Sequence, residues 1–191
     1  MDRFALDRRA LAYAGDIVAQ VRPEHLGKPT PCGSWTVAEL LAHMTAHNVG
    51  FAAAASGRPV GGEIWDLVTD ETLPAYAESA ALVTAAWEAP DLPEKMEVFG
   101  FGTVPARTAL SMHIVDFVIH GWDVGVSIGV PVAADADLVR DAYAIMREFP
   151  VNRPNKAFGL MFPVPDDAAE FDRFLGYVGR DPAWLPPELE Q

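Results

Sequence analysis

Asp116 and His120 are four residues apart, and so are His43 and His47. On an α-helix that spacing stacks two side chains one turn apart on one face. Each pair is therefore half of a metal site that needs no backbone adjustment. His113 lies about two turns before His120 and extends the second stripe to three donors. Helical bundles complete such sites with a ligand from a facing helix. Three protein ligands leave one position open, the pattern of catalytic rather than structural zinc. A single helical histidine is more often solvated or hydrogen-bonded than metal-bound. Here four of the 5 histidines fall into two helical groups set in apolar sequence. Asp116 is flanked by Ile114, Val115, Phe117 and Val118, and a carboxylate buried there needs a cation, a metal or a donor.

These side chains need long helices to hold them, and the apolar spacing supplies candidates. Residues 2–22 repeat apolar positions at three- and four-residue steps up to Pro23. A second helix begins near Ser34 or Thr36, where Thr36 and Glu39 form a capping box, and runs to Gly57. Residues 64–88 read as a third helix, with Pro74 at a kink or in a first turn. MEVFGFG is a short strand or an extended loop. A further helix starts around Pro105 and ends at Gly129, and another covers 136–149 behind Asp135 as cap. Beyond Pro150 the chain is proline-rich, with one short helix near 167–178. The expected architecture is all-α, a four-helix bundle over 1–149 with an additional helix and an irregular wrapping tail over 150–191, all in one domain of 1–191.

Composition narrows the partners. The net charge is −13, from 27 acidic and 14 basic side chains with no basic run. Such a field repels a nucleic-acid backbone. No stretch reaches the roughly 18 uncharged apolar residues of a membrane span, and the charged N-terminus is not a signal peptide. The single cysteine, Cys32, forms no internal disulfide and fits a reducing compartment. A cytoplasmic protein handling small molecules is expected, with a second copy of the chain as a further candidate partner.

Other residues carry plainer readings. Cys32, before the second helix, is either a thiol activated by the helix N-terminus or a small side chain in a turn. Trp35 and Trp122 read as core aromatics, Trp122 covering the metal-site end of its helix. Asp123 either orients a ligand imidazole, or caps or pairs with an arginine. Arg180 and Asp181 read as a turn anchoring the tail, His25 as solvated, and Met112, Met146 and Met161 as packing.

Three segments, TPCGSWTVAELLAHMTAHNVGF, MHIVDFVIHGWDVGVSIG and VPDDAAEFDRFLGYVGRDPAW, together resemble the actinobacterial branch of the DinB/YfiT-like superfamily. More closely, they resemble its metal-binding group related to the N-terminal domain of mycothiol-dependent maleylpyruvate isomerase. SWTVAELLAH and HGWD are the most diagnostic pieces. The resemblance implies a four-helix bundle holding one divalent metal, usually zinc or nickel. Its ligand positions fall on His43 at the end of LLAH, and on Asp116 and His120 before Gly-Trp-Asp. His47, His113 and Asp123 are then residues that orient the ligands or replace one. The implied chemistry is that of a mycothiol transferase or isomerase, in which a metal-bound thiolate attacks a small electrophile. The isomerases have Glu where this chain has Asp116, which is one methylene shorter. They also carry a separate C-terminal domain, for which the residues after Pro150 look too few and too irregular. The competing readings are a non-enzymatic metal or small-ligand binding module of the same fold, and a helical interaction protein with structural histidines.

Overall fold

The computed structural model describes residues 2–58, 61–65, 72–148 and 159–187. The first helix, α1 (Arg3–Val18), starts where the Asp2 side chain accepts the backbone N–H groups of Phe4 and Ala5. It stops earlier than the apolar spacing suggests, and a one-turn 3-10 helix (Pro23–His25) follows. His25 is not solvated: it is buried, and its Nδ1 accepts the Arg22 backbone N–H at 3.1 Å. The second long helix, α2 (Val37–Ala55), begins on the expected capping box. Thr36 Oγ1 accepts the Glu39 N–H, and the Glu39 carboxylate accepts the Thr36 N–H.

The expected 64–88 helix appears as a short α3 (Gly62–Trp65) and a long α4 (Thr72–Trp87) with Pro74 in its first turn. A proline there gives up only an N–H that has no helical partner anyway. MEVFGFG takes its strand option. Strands β1 (Lys95–Val98) and β2 (Gly102–Pro105) pair antiparallel, Val98 opposite Gly102. The helix with the informative stripe, α5 (Ala106–Ile128), ends on Gly129 at φ 76°, where only glycine is unstrained. The Val130 N–H closes the turn onto the Gly125 carbonyl at 3.1 Å. Helices α6 (Ala136–Glu148) and α7 (Glu170–Tyr177) complete the described elements. The expected wrapping of residues 150–158 lies outside them.

The four long helices enclose the core. α1 lies along α5, α2 lies along α4, and α2 also packs on α5. Leu40, Leu41 and Met44 of α2 meet Leu110, Ile114 and Phe117 of α5 in a single buried cluster. Burying a side chain of this size contributes roughly 1.5–3 kcal/mol. Gly121 permits the close α1–α5 approach, since a Cβ there would stand 2.8 Å from the Tyr13 ring and 3.2 Å from the Ala14 backbone. α6 packs on α5, and α7 on α6. No helix among the described residues is long and apolar enough to cross a membrane.

Candidate metal centre

His43 and His47 share one face of α2, Asp116 and His120 one face of α5, and the α2–α5 contact turns the two faces together. The His43 and His47 rings lie 3.8 Å apart between centroids, and the His43 and His120 rings 5.0 Å apart, edge to face. Asp116 bridges its neighbours. His47 Nδ1 donates to Asp116 Oδ2 at 2.9 Å, and His120 Nε2 stands 3.3 Å from Asp116 Oδ1. One donor atom each from His43, His47 and Asp116 falls within 4.8 Å of the others. Trp35 is half-buried at the edge of the core, packed against it, and also walls His43, with its ring 4.7 Å away. The His47 and Asp116 side chains remain 23 % and 21 % exposed, so this side of the cluster is open to small molecules.

The electrostatics differ from one imidazole to the next. Burial, reinforced by His47, pushes the His43 pKa down to about 3. His43 is therefore a neutral base, and no described residue hydrogen-bonds its ring nitrogens. Burial also acts to lower the His120 pKa, but the Asp116 and Asp123 carboxylates outweigh it and raise the value to about 10. Burial would raise the Asp116 pKa, yet His47 and His120 hold it well below the usual carboxylate range. The result is one neutral lone-pair donor beside an anionic carboxylate. His120 holds its proton because carboxylates face both its nitrogens. That is the donor set a divalent cation takes up, and its binding would displace the proton.

A second group lies on the far side of His120. His120 Nδ1 donates to Asp123 Oδ2 at 2.9 Å. Arg180 completes it with a two-pronged contact, Nε to Oδ1 at 2.8 Å and Nη2 to Oδ2 at 2.9 Å. Asp123 thus both bonds an imidazole and pairs with an arginine. Cys32 Sγ, with donor atoms of His120 and Asp123, also falls within a 4.8 Å group. Burial raises the Cys32 pKa against the pull of His120 and Arg180, so the side chain is a thiol rather than an activated thiolate.

His113 does not join either group. It is fully buried, with Nδ1 bonded to Asp7 Oδ1 at 2.7 Å and Nε2 to Asn48 Oδ1 at 3.0 Å. Both its nitrogens are engaged away from the cluster, although its spacing from His120 offered it as a donor and the family resemblance as an orienting or replacement residue. Trp122 is buried, as expected. Sequence spacing did not reveal the part Arg180 plays. GRDP was visible as a turn, but nothing in the linear order ties residue 180 to residue 123.

The fold and this cluster define a mostly helical, DinB-like protein with a candidate metal centre between its second and fifth helices. Residues 8–125 match the family described as "Mycothiol maleylpyruvate isomerase N-terminal domain", and the chain belongs to that family. It is 28% identical over 185 residues to two uncharacterized proteins of Mycobacterium tuberculosis, from strains H37Rv and CDC 1551, covering 94% of this chain and 98% of each. Crystal structures of the mycothiol-dependent maleylpyruvate isomerase and of a histidine-to-alanine mutant superpose with TM-scores of 0.56 and 0.57. They share 19% identity and cover 75% of this chain and 67% of theirs, a likeness of fold.

Proposed function

We propose that the protein holds one divalent metal ion through His43, Asp116 and His120, and that it works with a low-molecular-weight thiol, mycothiol, on a small electrophile in transferase or isomerase chemistry. The observation that carries this reading is a half-open cluster in which donor atoms of His43, with its neutral, unbonded imidazole, of His47 and of the anionic Asp116 lie within 4.8 Å of one another, with His120 Nε2 3.3 Å from the other Asp116 oxygen. His43 and His120 supply nitrogen donors and Asp116 the negative charge. His47 steadies Asp116 through Nδ1, and Asp123 steadies His120 in the same way. Histidine ligands oriented by a carboxylate are the usual form of such sites. Zinc is the first choice and nickel the second, since imidazole and carboxylate donors accept both. A divalent ion held there would supply the charge that lowers the pKa of an incoming thiol. Trp35 walls one side of the opening and the net charge of −13 disfavours anionic macromolecules, leaving a small thiol and an electrophile as partners, in the cytoplasm.

Metal content measured on purified protein and on His43→Ala tests the binding step. About one ion per chain, lost in the variant, supports it, and a metal-free wild type that takes up none on titration rejects it. Loaded protein is then assayed for transfer of mycothiol to a panel of electrophiles and for isomerisation of maleylpyruvate. Stoichiometric metal with no rate above background would leave the non-enzymatic binding module as the function.

A further inference from the structure

Asp123 has no exposed side-chain surface, while the Arg180 side chain that grips it is 13 % exposed and comes from the far end of the chain. Its delivery is specific. Just past the end of α7, Gly179 takes φ +85°, and the Arg180 N–H closes back on the Leu175 carbonyl at 2.9 Å. That turn aims the side chain across α5 at Asp123. A two-pronged arginine–carboxylate contact fixes the carboxylate plane as well as its position. The fixed Oδ2 is the atom that accepts His120 Nδ1–H, so the ring's other nitrogen is left facing Asp116.

The same contact decides what the Cys32, His120 and Asp123 group is for. Three donor types lie close enough there for an ion. However, both Asp123 oxygens already carry Arg180, and a guanidinium in that position repels a second cation. This group is therefore support for His120 rather than a second metal site.

We propose that Arg180 is a positioning residue for the metal centre. Acting through Asp123, it holds the His120 ring in the orientation that directs Nε2 toward Asp116. Residue 180 lies beyond the 8–125 family match, so the tail after α6 completes a site whose donors all lie before it. The inference rests on the metal reading above.

Metal-stripped full-length protein is titrated with zinc, and with cobalt for its absorption spectrum, in wild type, Arg180→Met, Arg180→Lys and the double variant Asp123→Asn/Arg180→Met. Arg180→Met is expected to weaken metal binding by about 10–100-fold, the usual effect of losing an orienting partner, and to shift the cobalt bands. Arg180→Lys, a point charge without the fork, should fall between. The double variant leaves no unpaired buried charge, so its metal-free melting temperature should recover while its affinity does not. Affinity within twofold of wild type in Arg180→Met overturns the inference. So does an affinity that recovers together with stability in the double variant, since Arg180 would then be only an anchor. Failure of the wild type to bind either ion rejects the metal reading itself and this role with it.

Discussion

Helices α2 and α5 meet at two levels with the same kinds of residue, and the two levels do opposite things. At one, His113 is bonded to Asp7 of α1 and to Asn48 of α2, and Asn48 donates to Ser79 Oγ of α4 at 3.0 Å. Ser79 in turn donates to the Tyr76 carbonyl at 2.8 Å. Each of the four long helices contributes one member, and all four are buried. At the other level, one residue along α2 and three along α5, His47 and Asp116 stay partly exposed and His43 has no hydrogen bond among the described residues. The lesson is that histidine and a carboxylate do not make a site. A saturated, sealed network fixes helix register, because any slip would strand a buried polar group. An unsaturated, half-open cluster with an available lone pair is where the proposed metal ion would sit.

Breaking the sealed level should have the largest effect on stability. His113→Ala leaves Asp7 and Asn48 buried without their partner and is expected to cost about 3–5 kcal/mol in urea unfolding. A loss under 1 kcal/mol would show that the network does not hold these helices together. His43→Ala should do the reverse. Metal affinity is expected to fall by at least about 100-fold, roughly 2.7 kcal/mol, while the metal-free protein unfolds within about 1 kcal/mol of wild type. Equal stability losses in the two variants would erase the distinction between the levels.

His47→Ala sharpens it further. As a group that orients Asp116, His47 should cost about tenfold in affinity. A loss as large as that of His43→Ala would make His47 a ligand in its own right.

The smallest effect concerns the cap that starts α2 and so sets the depth of His43. Hydrogen bonds from Thr36, backbone first, hold the Glu39 pKa below its ordinary value. A depressed folded-state value means the contribution is present above the unfolded pKa of about 4.3. It is lost as pH falls through the lower folded value. Glu39→Gln should therefore unfold at slightly lower urea than wild type at pH 7, and the gap should close in acid. A gap unchanged at low pH would rule out the charged cap as its cause.

What the residues determined alone was everything local. Periodicity located the long helices, and Thr36 with Glu39 and Gly129 marked ends the structure keeps. The i,i+4 pairs at 43/47 and 116/120 had to share faces, because helix geometry fixes that spacing whatever surrounds it. Spacing also misled. His113 belongs to the stripe of His120 by number, yet it rotates away to Asp7, a partner on another helix that no periodicity reveals. His25 looked solvated in its polar connection and is buried, its ring bonded to Arg22 three residues back. Only the tertiary packing decided which helix faces α5, which imidazole lost its solvent and its proton, and that Arg180 would close on Asp123. Burial, charge neighbours and contacts across more than fifty residues are properties of the assembled chain, and linear order does not encode them in any local pattern.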